Sequence, residues 1–201
     1  MGMVTCDIAT SVNGYVTGTD QRLDHPFGDG IDQKILHGWM FDEPDEHAQE
    51  IAGILHSRAF IMGRNMFSPG RGDWDPNWRG WWGDEPPYHA PVFVLTHHPR
   101  TPLTLGETTF HFVTDGAERA LELARAAAGE GNVSIAGGAD TVNQYLRLGA
   151  IEELRLHVTP MIVAAGERLM DAVGAHRLSL VAARPTPSVV HLTYRVDPPE
   201  S

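Results

Sequence analysis

Apolar and polar residues alternate in three parts of the chain and run together in three others, and the two patterns predict different strands. Val4, Cys6 and Ile8 alternate with Thr5, Asp7 and Ala9, which predicts a half-buried strand with unlike faces. Leu154, Leu156 and Val158 alternate with Arg155, His157 and Thr159, and Val190, Leu192, Tyr194 and Val196 with His191, Thr193 and Arg195. The runs at Ala59–Met62, Val92–Leu95 and Val133–Ile135 predict strands covered on both faces. Helical spacing follows Asp32, with Ile35, Leu36 and Trp39 on one side as far as Phe41, and recurs over 45–56, burying Ile51, Ile54 and Leu55. A third helix, 117–128, opens with Asp115 and Glu118 at capping-box spacing and closes at Gly129. In the fourth, Asp140 or Thr141 caps a turn led by Val142, Tyr145 and Leu146, and Gly149 ends it.

The order strand–helix–strand–helix from 109 to 149 implies parallel strands joined by crossover helices. Alternation in the tail implies a face that is wet or meets a partner, so antiparallel strands are expected there. Leu178–Ala183 should turn through Arg184-Pro185-Thr186-Pro187 into the last strand as a hairpin. Residues 18–30 lack periodicity and read as a surface loop. No repeat or linker divides the chain, and one domain over 1–201 is expected.

Composition narrows the function. The net charge of −11 argues against nucleic acid and against an anionic membrane surface, because both need a basic face. Any bound phosphate must then be held by a few arginines and backbone amides. A lone cysteine, Cys6, precludes an internal disulfide. No apolar run approaches membrane-spanning length and the opening residues do not form a leader, so a cytoplasmic location is expected.

Candidate chemistry gathers where strands are predicted to end. Ligands in an open α/β sheet bind at the carboxyl ends of parallel strands. Those ends read Met62-Gly63-Arg64-Asn65, Leu95-Thr96-His97-His98-Pro99-Arg100, Val113-Thr114-Asp115-Gly116 and Ala136-Gly137-Gly138. Glycines before a helix leave backbone N–H groups at the positive end of a dipole, which suits a phosphate. Arg64 can add a guanidinium fork. His97 and His98 are not expected to bind a metal, since neighbouring residues at a strand end diverge and no third ligand is spaced to join them. Four of the five tryptophans (Trp74, Trp78, Trp81, Trp82) fall in 68–89. They predict an aromatic lid over a flat substrate, with Arg71 or Arg79 for its anionic group, or a loop packed on its own domain or a second subunit, and the two are compatible.

Four segments carry a resemblance. Ile61-Met62-Gly63-Arg64-Asn65-Met66-Phe67 resembles the Met-Gly-Arg segment of the dihydrofolate reductase fold, and Ala136-Gly137-Gly138-Ala139 that fold's Gly-Gly turn. Ser11-Val12-Asn13-Gly14 resembles the Ser-Leu-Asp-Gly element of its riboflavin-pathway branch, and 156–169 that branch's closing strand and Gly-rich turn. The chain is thereby identified as a member of the RibD C-terminal-like, dihydrofolate-reductase-related family. The resemblance implies an α/β, three-layer dihydrofolate reductase-like fold: a mixed, mostly parallel sheet with an antiparallel C-terminal hairpin. It also implies NADPH-dependent hydride transfer to a small, pteridine- or pyrimidine-like substrate, and a homodimer.

Carried over by position, Gly63 and Arg64 would face the adenosine 2′-phosphate, with Thr96 and His97 beside them. Gly137, Gly138, Ala139, Asp140 and Thr141 would surround the pyrophosphate, and Ala9 and Gly14 the nicotinamide. Asn13 and Trp82 are substrate candidates. Asn13 stands where the family has Asp, and Met66 where it has a hydroxyl residue. Asp32, Asp73, Glu167 or a bound water could donate the proton, and none stands out. The alternative is a nucleotide-binding or regulatory module without turnover.

Overall fold

The computed structural model describes residues 2–70 and 72–197; Arg71, one of the two arginines considered for the substrate, lies outside them. The strands are β1 (Val4–Ser11), β2 (Tyr15–Thr17), β3 (Ala59–Gly63), β4 (Pro91–Leu95), β5 (Leu103–Leu105), β6 (Thr108–Val113), β7 (Val133–Gly137), β8 (Glu153–Thr159), β9 (Glu167–Arg168), β10 (Leu178–Pro185) and β11 (Val190–Val196). The helices are α1 (Gln33–Phe41), α2 (Ala48–Leu55), α3 (Arg64–Phe67), α4 (Ala117–Ala128) and α5 (Ala139–Arg147). Among the described residues nine strands form one sheet, ordered β10-β11-β8-β1-β7-β3-β4-β6-β5, and β2 pairs with β9 apart from it.

From β8 through β6 the neighbours are parallel, and the β10–β11 hairpin is antiparallel, as expected. The tail departs from expectation at β8, which runs parallel to β1 and antiparallel only to β11. Short β5, absent from the sequence reading, adds antiparallel to β6. The hairpin turn also lies later than expected, because Arg184 and Pro185 still belong to β10.

Side chains alternate across a strand, so β1 serves two layers. Val4, Cys6 and Ile8 join a core with Ala120 and Ala124 of α4 and Val142 and Tyr145 of α5. Thr5, Asp7 and Ala9 point to the opposite face. There Trp39 of α1 is fully buried against the rings of His157 and His191. Farther along that face, Phe60, Met62, Val92 and Phe110 pack with Phe67 and the tryptophan loop.

The helix expectations held in existence and shifted at the caps. Asp32 is the N-cap of α1, accepting from the Lys34 and Ile35 amides. Leu36 and Trp39 are buried there, whereas Ile35 is 42% exposed. The α2 helix starts at Ala48, and its Ile51, Ile54 and Leu55 are only half-buried. The expected cap residues at the other two helices do not act: Gly116 and Gly138 occupy the N-cap positions without side-chain bonds. Gly129 ends α4 and Gly149 follows α5, both at positive φ, as glycine at a helix end allows.

Candidate functional site

Strands β7, β3, β4 and β6 are successive neighbours, so their carboxyl ends lie in a row. The chain leaves β3 into α3, β6 into α4 and β7 into α5, and a cleft of about 450 Å³ opens above the row. Its walls include Gly63, Arg64, Thr96, His97, Gly138, Asp140 and Thr141, all singled out by sequence. Thr114, Gly116, Gln144 and Glu167 are also among the lining residues. Of these Glu167 was considered only as a proton donor, and Gln144 only as part of a helix.

The cleft is built by small residues. A Cβ on Gly63 would collide with Thr141 Oγ1, so glycine is what lets β3 end against α5. Gly137 has φ 123, a conformation side chains rarely allow. With no side chain capping α5, its first-turn N–H groups are left for a ligand. Ala139 is buried just beneath this surface.

Arg64 reaches the cleft while donating to the carbonyls of Gly72 and Asp73, and its guanidinium lies 4.2 Å over the Trp74 ring. Thr96 Oγ1 accepts from the His98 amide at 3.1 Å, which shapes the β4 tip. The acidic side of the cleft is Asp140 and Glu167. Burial foremost, and the charge of Asp140, push the Glu167 carboxyl above its ordinary value.

Other candidates lie elsewhere. Ala9 is buried within β1 with its Cα opposite His157. Asn13 staples its turn to the chain ahead of β9: its amide donates to the Val163 carbonyl at 2.7 Å, and its oxygen accepts from the Val163 amide at 3.1 Å. Gly14, at φ 87, sits in the same turn against Arg168. Asp32 is engaged in capping α1. The Trp82 ring stacks 5.6 Å from Phe110 and edge-on to Tyr88. The indole N–H groups of Trp74, Trp78 and Trp81 donate to the carbonyls of His98, Phe67 and Met66. This loop packs on its own sheet, the second of its two expected forms.

A second cluster escaped the sequence reading. His47, His157 and His191 are buried in a row: His47 Nδ1 is 2.9 Å from His191 Nε2, and His191 Nδ1 is 2.7 Å from His157 Nδ1. Ligand atoms of His47, Glu50 and His191 lie within 4.8 Å of one another, a donor set suited to a transition metal. The Arg184 guanidinium supplies the positive charge there: it donates to both Glu50 oxygens at 2.7 and 2.8 Å and lies 3.0 Å from His47 Nδ1. The available signal was two histidines at matching polar positions of two alternating strands.

The sequence matches the family of the RibD C-terminal domain over residues 2–192, and the chain belongs to that family. The fold is shared with a riboflavin biosynthesis protein candidate from Shewanella sp. PV-4, at TM-score 0.63 and 20% identity, covering 98% of this chain and 99% of that one. A pyrimidine reductase-like protein of Corynebacterium diphtheriae gives 0.59 at 15% identity, over 98% and 92% of the two chains. The Enterococcus faecalis dihydrofolate reductase complexed with NADP(H) also gives 0.59 at 15% identity, over 98% and 97%. No curated protein matches the sequence.

Proposed function

We propose that the protein is an NADPH-dependent oxidoreductase that reduces a small heterocycle of pteridine or pyrimidine type by hydride transfer. One observation carries the reading: seven cofactor candidates, drawn from three separate strand ends, line a single cleft beside an uncapped helix N-terminus. The residues present fit a dinucleotide. Backbone amides of α5 suit a pyrophosphate, the glycines at 63 and 138 in the cleft wall admit close approach, and Arg64 offers a cation for a 2′-phosphate. Family membership and neighbours described as reductases support the chemistry. When bound, the cofactor supplies the hydride; Ala9 and Gly14 are the residues proposed to bound its nicotinamide end.

Tight NADPH binding, followed by loss of nicotinamide absorbance with dihydropteridines or ribosylaminouracils, is the expected result. Binding without turnover of any heterocycle would favour a nucleotide-binding module instead. One observation favours that second reading: the cap and staple roles of Asp32 and Asn13 leave neither free to act on a substrate. We propose that the chain works as one domain in the cytoplasm and as a homodimer. Edge strand β10 supports the pairing, with Leu180 60% and Val181 61% exposed. Leu180→Lys should then shift the protein to monomer in sedimentation.

A further inference from the structure

The turn between α1 and α2 carries Glu43, Glu46 and His47, and each offers one ligand atom within 4.8 Å of the other two. Acidic side chains on a turn are by themselves ordinary surface. His47 is not: its side chain is wholly buried, and its Nε2 has no hydrogen-bond partner although it lies 3.5 Å from Glu43 Oε2. A ring nitrogen shut away from water is normally bonded. Its aim at a pair of carboxylates has one chemical reading, a cation that all three side chains share.

The rest of the histidine row leaves that nitrogen free to ligate. One assignment of ring hydrogens serves all three imidazoles. His47 donates from Nδ1 to His191 Nε2 at 2.9 Å, His191 donates from Nδ1 to His157 Nδ1 at 2.7 Å, and His157 Nε2–H faces Asp7 Oδ1 at 3.7 Å. Each ring gives one hydrogen inward, and His47 Nε2 keeps a lone pair turned toward Glu43. Arg184 Nη2 lies 3.0 Å from His47 Nδ1, but its two hydrogens have oxygen acceptors in Glu50 Oε2 at 2.8 Å and the Glu46 carbonyl at 3.3 Å. Metal-bound imidazoles are held in this way, the second nitrogen donating to a fixed acceptor.

We propose that Glu43, Glu46 and His47 Nε2 bind a first-row divalent cation of the Zn²⁺ class, with water completing the coordination. Metal bonds of about 2.1 Å at near-tetrahedral angles set nitrogen and oxygen donors about 3.4 Å apart, close to the 3.5 Å between His47 Nε2 and Glu43 Oε2. One imidazole with two carboxylates suits such an ion better than Mg²⁺ or Ca²⁺, which take oxygen alone. The inner donors, His47 Nδ1 with Glu50 and His191, already face the Arg184 guanidinium. The outer donors are oriented differently: Ser188 Oγ, from the β10–β11 turn, donates to Glu43 Oε2 at 2.6 Å, and Arg184 holds Glu46 by its main-chain carbonyl. The Glu43 side chain is 44% exposed, so an ion reaches the site from solvent. Bound there, it pins the α1–α2 turn, and with it the cover that Trp39 lays on the sheet; it is a structural clip, away from the cleft.

Calorimetric titration of the EDTA-treated full chain with Zn²⁺ at about pH 7 tests the site. One saturable equivalent is expected, and Glu43→Gln/Glu46→Gln should weaken it by tenfold or more. Both carboxylates are exposed, so that protein should fold, whereas His47 is too buried to replace safely. Zn²⁺ at about a hundred times its dissociation constant should raise the wild-type melting temperature by about 5–10 °C and leave that of the double variant unmoved. Nitrogen-detected histidine NMR of wild type should show Zn²⁺ on His47 Nε2. The absence of saturable binding overturns the proposal. So does binding that the double variant retains in full, which would place the ion on other histidines. Binding lost in Glu50→Gln but kept in the double variant, or spectra with Zn²⁺ on His47 Nδ1 or His191 Nε2, would move the ion to the inner donors and overturn it equally. None of these readouts depends on NADPH or on turnover.

Discussion

The cleft and the histidine row are both built on the same sheet, and they are opposites in construction. The cleft stands at the strand ends, open to solvent and shaped by what is missing: side chains at Gly63 and Gly138 and a cap on α5. The row lies on the flat of the sheet, closed under Trp39, and is made of side chains that bond to one another while His47 Nε2 and His157 Nε2 stay without a partner. Backbone donors cannot be titrated, so the amide wall of the cleft holds its polarity at any pH, whatever the Glu167 side does. Imidazoles can be titrated, and burial holds His191 of the row at about 4, so that part of the row refuses protons until the medium is acid. The difference suits one region to gripping a ligand and makes the other a buried, acid-sensitive part of the fold.

Acid should separate the two regions most sharply. His191 and His37 sit at about 4 in the folded chain against an ordinary 6.5. Between those values the unfolded chain binds protons that the folded chain refuses, so stability falls as pH drops from about 6.5 to about 4 and is undiminished by these groups above it. Melting temperatures across that window should show the slope, and a His37→Gln/His191→Gln protein should lose much of it. An unaltered slope would mean that these two imidazoles are not the acid-sensitive element.

The next largest effect belongs to the cleft. Gly63→Ala should cost about 1–3 kcal/mol by forcing β3 from α5 through the contact with Thr141 Oγ1. Adding Thr141→Ala removes the colliding oxygen and should recover most of the loss in denaturant melts; simple additivity would refute the close approach. Smaller again, Arg64→Ala should weaken NADPH by about tenfold, about 1.4 kcal/mol, with NADH nearly unchanged in a fluorescence titration. Equal weakening of both would remove the 2′-phosphate role. Smallest, Asp32→Ala should lower stability by about 1 kcal/mol as a lost N-cap without slowing turnover. A collapse of activity there would return Asp32 to the list of acids and break the division between the two regions.

Much of the cleft was legible before any coordinates, because local pattern was enough. A continuous apolar run followed by glycine marks a buried strand ending at a turn, and Ala59–Gly63 and Val133–Gly137 both behave so. These two endings and that of the apolar run Val92–Leu95, which stops at Thr96, lie on parallel strands and must share one edge of the sheet, which is why Gly63, Thr96 and Gly138 meet. The caps were less legible: Asp115 and Asp140 have the right chemistry, but the chain enters α4 and α5 through glycine and places those carboxylates elsewhere. Proline at 185 looked like a turn residue, yet it closes β10 at the sheet edge, where a missing N–H costs nothing.

The tail shows where pattern reasoning ends. Alternation in β8 and β11 establishes that His157 and His191 share a face, and it cannot say whether that face is wet. Here it is dry. The answer comes from Trp39 and His47, more than a hundred residues earlier in the chain, which fold over the sheet and exclude water. What the sequence determined by itself was periodicity and punctuation, hence the strands, their glycine endings and the cleft those endings frame. Only the tertiary structure decided which polar face would be sealed. Burial is a property of distant segments meeting, and it is burial that lowers His191 in this row of imidazoles.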